Sequence, residues 1–260
     1  MARKDHWYNK SKQEGYRTRA AYKLKQLDRK EGLFGPGNTV VDLGAAPGGW
    51  LQVAAEKVGE QGTVIGVDFQ RIKDFGDQYD AHIETIKGDM TEEKTKERVK
   101  EVAGGEVDVV ISDMAPNMTG EYNLDHARSI HLARQAYEVA LDVLDTGGDF
   151  AVKVFEGQDL PPLQKEMEAE FQYVRLTKPE ASRDESSEMY LVAKHRLTAP
   201  VSTGDVLEVT IEDVGSEGDG VAKVEDFTLF VDGAEKGQTL TVEVTGLKPR
   251  FGFAKPVDDE

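Results

Sequence analysis

The first sixteen residues show no hydrophobic period; they are polar, mixed in charge and rich in lysine, which predicts a mobile arm over residues 1–16. A helical pattern follows over 17–30, with Ala20, Ala21, Leu24 and Leu27 on one side. Beyond Gly35-Pro36-Gly37 the pattern alternates. Apolar runs at 39–43, 63–68, 82–87, 107–112 and 148–154 read as strands, separated in part by helical stretches at 48–58, 91–102, 125–145 and 160–169. Two further runs at 171–177 and 188–194 read as an antiparallel hairpin. Strands alternating with helices predict an α/β fold with a doubly wound, mostly parallel sheet over 17–195. The pattern then changes: residues 196–203, with Pro200 and Ser202, read as a linker. Over 204–257, short β-rich runs at 206–211, 220–224, 228–231 and 239–247 are divided by glycines and acidic pairs. They predict a small all-β barrel of about five strands.

In open α/β sheets ligands bind beyond the carboxyl ends of the strands. That rule selects Asp42 and Gly44 after the first strand, then Asp68, Asp89, Asp113 and Lys153 at the ends of the following ones. The first strand runs into Gly44-Ala45-Ala46-Pro47-Gly48-Gly49-Trp50. Glycines there let the turn be tight and the backbone approach a ligand closely. The spacing G-x-x-x-G-G differs from the dinucleotide G-x-G-x-x-G, and an open loop of this kind suits one adenosine with an amino-acid tail. S-adenosylmethionine is therefore the expected cofactor rather than a nicotinamide. Asp68, ending the second strand, is placed to accept hydrogen bonds from both ribose hydroxyls. The plainer alternative is a strand-turn-helix whose glycines serve geometry alone.

At 260 residues the chain has room for one α/β domain and a small second one. It contains no cysteine, so disulfides, thiolate metal sites and thiol nucleophiles are excluded, and no metal is expected. Neither a signal peptide nor an apolar run of membrane length is present, so a cytoplasmic location and no membrane partner are expected. The net charge of −17 argues by itself against a nucleic-acid partner. Its distribution argues otherwise: residues 1–31 hold ten Lys or Arg against four Asp or Glu, a local +6, leaving −23 on the rest. High salt, where hydrated carboxylates keep a protein soluble, is one cause of such an acidic body.

Ser112-Asp113-Met114-Ala115-Pro116-Asn117 puts a carboxylate and a proline turn beside the cofactor loop. Enzymes that methylate base amines often carry a second proline and an aromatic residue here, and this chain has neither. Methylation of a pyrimidine C5 needs a covalent cysteine, which is absent. A hydroxyl acceptor remains. Methyl transfer to a weakly acidic sugar hydroxyl calls for a nearby base and alignment with the sulfonium. Lys153, within Ala151-Val152-Lys153-Val154-Phe155, is a candidate for that base, since apolar surroundings disfavour the charged form of a lysine. Snorkelling from the strand end or pairing with a carboxylate is an equally good reading of the residue alone.

Five strings in order make a resemblance specific: Arg19-Ala20-Ala21-Tyr22-Lys23-Leu24, residues 41–50, residues 112–117, residues 152–155, and Ser186-Ser187-Glu188-Met189-Tyr190-Leu191-Val192-Ala193. Over roughly residues 8–195 the chain resembles the FtsJ family of ribose 2′-O-methyltransferases, in particular its branch acting on large-subunit (23S) ribosomal RNA. The resemblance implies a Rossmann-like methyltransferase fold and a Lys-Asp-Lys-Glu tetrad around the target hydroxyl, here Lys23, Asp113, Lys153 and Glu188. It implies that Lys153 accepts the proton, Asp113 orients it, and Lys23 and Glu188 position the ribose. Implied cofactor contacts are Gly48, Trp50, Asp68, Asp89 and Asp113. Each has a plainer reading: Asp89 as a cap of the helix near Thr91, Trp50 as core, Glu188 as a solvated edge charge. Lys10, Lys12, Arg17 and Arg19 beside Lys23 are placed to grip RNA phosphates.

The segment 199–257 resembles a TRAM domain, a small β-barrel found on RNA-modifying enzymes. Residues 248–255 interleave cations with aromatics, which suits base stacking, yet residues 199–260 hold 14 Asp or Glu against 5 Lys or Arg. The resulting expectation is S-adenosylmethionine-dependent 2′-O-methylation of a uridine in large-subunit ribosomal RNA, aiding ribosome maturation. The substrate is naked RNA or an assembling or assembled large subunit, with no obligate protein partner. A transfer-RNA anticodon-loop methyltransferase and a non-catalytic cofactor-binding assembly factor are the rival readings.

Overall fold

The computed structural model describes residues 6–105, 107–183 and 186–257. Two helices lead the chain, α1 (His6–Gln13) and α2 (Ala21–Glu31). The α/β body then runs β1 (Thr39–Leu43), α3 (Gly49–Val58), β2 (Thr63–Asp68), β3 (His82–Lys87), α4 (Glu93–Ala103), β4 (Val109–Ser112) and α5 (Tyr122–Val143). It ends with β5 (Asp149–Phe155), α6 (Leu160–Glu170), β6 (Phe171–Thr177) and β7 (Glu188–Arg196). Seven strands form one sheet in the order β3-β2-β1-β4-β5-β7-β6, all parallel except β7. Strand order reverses between β1 and β4, so the crevice rule points to the space beyond Leu43 and Ser112.

Strand periodicity builds the two faces. Val41, Leu43, Ile65, Val67, Val110, Phe150, Val152 and Val154 join one core with α5 and α6. Val40, Val64, Val109, Ile111 and Ala151 join the other with α2 and α3. Lys153 is two residues from Ala151 and so shares the face on which α2 carries Lys23.

The stretch expected to be a mobile arm is a helix over His6–Gln13, while residues 1–5 lie outside the described set. Aromatic contacts hold it: Trp7 lies 5.0 Å from the Tyr22 ring, and Lys10 sits over the same ring at 5.0 Å. No apolar period announces such a helix.

Because β7 runs antiparallel to β5, it starts beside Phe155 at the carboxyl edge of the sheet and ends near Gly148 at the opposite edge, where the Arg196 amide donates to the Gly148 carbonyl at 2.9 Å. The C-terminal domain is joined there. Its strands are β8 (Val206–Thr210), β9 (Asp213–Val214), β10 (Gly220–Val224), β11 (Phe227–Val231), β12 (Thr239–Leu247) and β13 (Phe251–Pro256). They form a six-stranded sheet, β8-β12-β13-β11-β10-β9, in which only β11 and β13 pair in parallel. The sheet curls because one segment serves both edges: β8 pairs with β12, and after Ile211 the chain continues as β9 against β10. Ile211, Leu229, Val231, Val242 and Val244 fill the interior. β13 occupies the stretch read from sequence as a cation-aromatic contact segment; Gly252 and Ala254 point inward while Phe253 faces out.

Candidate active site

Where β1 ends, Gly44 turns at φ +76°, and its amide and that of Ala45 bond the Val67 carbonyl at 2.9 and 3.1 Å. A Cβ on Gly44 would lie 2.1 Å from Met114 Cγ, so only glycine lets this loop close on the one after β4. Between them opens a cavity of about 580 Å³, lined by Gly44, Ala46, Asp68, Phe69, Asp89, Asp113 and Met114 among others. Asp68 accepts the Ala46 amide on Oδ2 at 2.9 Å and the Gln70 amide on Oδ1 at 2.7 Å, which fixes the carboxylate while each oxygen keeps a second lone pair. Asp89 accepts the Thr91 amide and hydroxyl at 2.9 and 2.7 Å, so it shapes the turn before α4 and lines the cavity as well.

Gly48 and Trp50 are placed elsewhere. Trp50 is buried, donates its indole N–H to the Ala20 carbonyl at 2.9 Å and packs 6.0 Å from the Tyr190 ring. Gly48, at φ +107°, lies against Arg17 and Phe75; a Cβ there would meet Arg17 Nη1 at 2.8 Å and Phe75 Cζ at 2.7 Å. Neither residue lines the cavity.

Asp113 stands between this cavity and a buried charge cluster. Lys23, from α2, is 9% exposed and Lys153, from β5, only 6%. Lys153 Nζ donates to the Asp113 carbonyl and lies 2.9 Å from Asp113 Oδ1. Lys23 Nζ is 2.7 Å from Glu188 Oε2 and 3.8 Å from Asp113 Oδ1. Glu188 takes the Ser182 hydroxyl on its other oxygen at 2.7 Å. The four residues named from the sequence thus form one connected group of two cations and two carboxylates. Burying them is costly unless every charge has a partner, and here every charge has one.

Three residues that sequence reading did not single out for these roles complete the surroundings. Tyr190, fully buried, donates its hydroxyl to Asp113 Oδ1 at 2.6 Å; burial, then the charges of Asp113 and Glu188, pushes its pKa well above the usual phenol range, so it stays a donor. Asp42, 1% exposed, leaves Oδ2 without a partner. Burial, reinforced by Asp113 and Asp68, holds its carboxyl well above the usual carboxylate range. Arg17 bridges two loops, donating to the Pro47 carbonyl at 3.0 Å and the Asp74 carbonyl at 2.8 Å with its guanidinium 3.6 Å over the Phe75 ring. Its own amide bonds the buried Gln52 side chain at 2.7 Å, and Gln52 in turn donates to the Gly15 carbonyl and the Tyr79 hydroxyl. The local sequence signal for Tyr190 is a polar-tipped aromatic in an apolar strand; for Asp42 it is a carboxylate inside one.

Among the described residues no helix is long and apolar enough to cross a membrane. The model for FtsJ-like methyltransferases matches residues 16–196, and that for the TRAM domain matches residues 200–257. A Haloarcula marismortui protein named ribosomal RNA large subunit methyltransferase E is 62% identical over 99% of this chain and all of its own length. Proteins of the same name from Haloquadratum walsbyi and Methanocella arvoryzae are 60% and 49% identical, each over 99% of this chain and 100% and 98% of their own. A crystal structure of a Plasmodium falciparum protein described as a ribosomal RNA methyltransferase superposes with a TM-score of 0.61 at 27% identity, covering 70% of this chain and 98% of its own. A match across most of the chain, and relatives along its whole length, place this protein in the FtsJ-like methyltransferase family, with a TRAM domain following.

Proposed function

We propose that the protein transfers the methyl group of S-adenosylmethionine to the ribose 2′-hydroxyl of a uridine in large-subunit ribosomal RNA, within an assembling or assembled subunit. The observation that carries the reading is the buried Lys23-Asp113-Lys153-Glu188 group at the wall of the cavity beyond β1 and β4. RNA follows from the acceptor, because only RNA offers a 2′-hydroxyl.

The residues fit the cofactor. The cavity beside Gly44 is large enough for one nucleoside, Asp68 keeps lone pairs for ribose hydroxyls, and Asp89 and Asp113 flank it. Bound S-adenosylmethionine supplies a methyl group on a positively charged sulfur, which needs no metal to be electrophilic. Lys153 has two acceptors, both on Asp113: the carbonyl oxygen and Oδ1. Once Lys153 has given up one proton, its amine keeps two N–H donors for these acceptors and one lone pair to take the 2′-hydroxyl proton. Asp113 is itself fixed by the Tyr190 hydroxyl. Lys23, tied to Glu188, lies close enough to Asp113 to steady the oxygen as its bond to hydrogen weakens. Bound there, the cofactor would supply the methyl group to the 2′-oxygen and leave as S-adenosylhomocysteine, while Lys153 takes the hydroxyl proton.

The test is methyl transfer from labelled S-adenosylmethionine to large-subunit particles and to transfer RNA, wild type beside Lys153→Ala, with the product mapped by resistance to alkaline cleavage. One 2′-O-methyluridine in large-subunit RNA, absent with the variant, is expected. Transfer only to transfer RNA would replace the substrate, and none to either with cofactor bound would replace catalysis by a binding role.

A further inference from the structure

Beyond Asp113 the chain lines the cavity as far as Asn117 and then enters α5, and two large apolar side chains stand out at this join: Met118 is 61% exposed and Tyr122, the first residue of α5, 58%. Neither lines the cofactor cavity. Yet both are held. Asp125, buried in the first turn of α5, accepts the Thr119 amide and hydroxyl, each at 2.8 Å, and the Gly120 amide at 3.0 Å. The Tyr122 hydroxyl donates to the Glu156 carbonyl at 2.6 Å. Glu156 follows directly on β5, and its amide bonds the Ser187 carbonyl at 2.9 Å, so the phenol is anchored where the strands carrying Lys153 and Glu188 meet. A tyrosine with its hydroxyl satisfied by a carbonyl offers the solvent a flat apolar face rather than a hydrogen bond. The hydroxyl bond ties the start of α5 to the end of β5, and it leaves the ring face open to solvent on the side of the sheet where Lys153 and Glu188 lie.

We propose that the Tyr122 ring is the platform on which the base of the target nucleotide stacks while its ribose enters the Lys23-Asp113-Lys153-Glu188 group. The inference rests on the reading of the protein as an RNA ribose methyltransferase. Stacking suits this position because the group being modified is a ribose, so the base has only to be held flat. Every base has such a face, and an aromatic ring contributes about tenfold or more in binding per stacked base.

The experiment compares wild type, Tyr122→Phe and Tyr122→Ala, as full chains, on the large-subunit RNA fragment that carries the mapped target and on the same fragment with that nucleotide made abasic. Tyr122→Ala is expected to lower kcat/KM on the intact fragment about tenfold while calorimetric affinity for S-adenosylmethionine stays unchanged. Tyr122→Phe, which keeps the ring and loses its anchor, is expected within about threefold of wild type. Removing the base is expected to cost the wild type what Tyr122→Ala costs, and to cost Tyr122→Ala nothing further, the signature of one shared contact. Equal losses from Tyr122→Ala on both fragments would mark a purely structural role and overturn the proposal, as would a wild type indifferent to base removal. Wild-type transfer to the intact fragment is the reference throughout, and its absence both there and on large-subunit particles would overturn the reading of function instead.

Discussion

At the carboxyl edge of the large sheet Lys23, Asp113, Lys153 and Glu188 lie almost out of solvent and answer one another's charge, while in the barrel joined at the opposite edge ion pairs stand in water, as with Lys255 and Glu243 at 2.9 Å. The first arrangement is expensive, since desolvating four charges returns little net stability. The second costs almost nothing and contributes little. Burial of a single pair is no mark of chemistry, since Lys194 and Asp149 pair at 2.8 Å and almost as deeply at the opposite edge; four linked charges beside a cavity are what set the first region apart. The barrel shows the reverse with its apolar groups: Phe230, Phe251 and Phe253 cluster with ring centroids 5.5–6.2 Å apart, and Phe253 is 42% exposed.

The contrast can be broken by mutation. The largest expected effect is on rate: Lys153→Ala should lower single-turnover methyl transfer by about 10²- to 10⁴-fold, the range for removing a general base, with cofactor affinity retained in calorimetry. Glu188→Ala leaves Lys23 buried without its 2.7 Å partner and should destabilise the protein by about 3 kcal/mol in a denaturant titration. Arg17→Ala frees the loop around Pro47 from the 70–75 segment and should raise KM for S-adenosylmethionine about tenfold, more than kcat falls. Asp42 gives a pH signature. Its folded pKa lies above its unfolded one, so the folded state binds more protons and stability falls as pH rises from the ordinary carboxylate range through the folded value. The slope is at most about 1.4 kcal/mol per pH unit, and Asp42→Asn should abolish that contribution in denaturation curves taken across pH. Lys255→Ala, on the barrel, should shift stability by no more than about 0.5 kcal/mol.

Sequence alone carries much of this architecture, unevenly. Strands β1 and β2 are legible at their observed bounds because their apolar runs are dense, and β3 and β6 because β-branched and aromatic residues recur among their polar ones. The carboxyl edge is legible because chemistry-bearing residues end those runs. Helix α1 is not, since it is held by Trp7 against Tyr22 rather than by a periodic stripe. β13 is hidden by Gly252 and by the charges around it, although its small residues face a core that only the folded barrel supplies. Within the site, Lys153 and Asp113 draw attention as polar residues in or after apolar strands. Glu188 has no local mark: it opens a strand, and only its pairing with Lys23, 165 positions away, shows its place. Arg17 reads from sequence as a phosphate-gripping cation, and its loop-bridging part is hidden for the same reason, since its acceptors are backbone carbonyls of distant loops.

Lys153 as the proposed acceptor of the 2′-hydroxyl proton is open to chemical rescue of Lys153→Ala. Small primary alkylamines of differing pKa are added to single-turnover reactions in which cofactor and RNA are already bound. Transfer is expected to recover in proportion to the free-base form of the amine, more strongly for more basic amines, and Asp113→Ala is expected to show no such recovery. Transfer by Lys153→Ala at the wild-type rate, or recovery that follows the ammonium form, would contradict it.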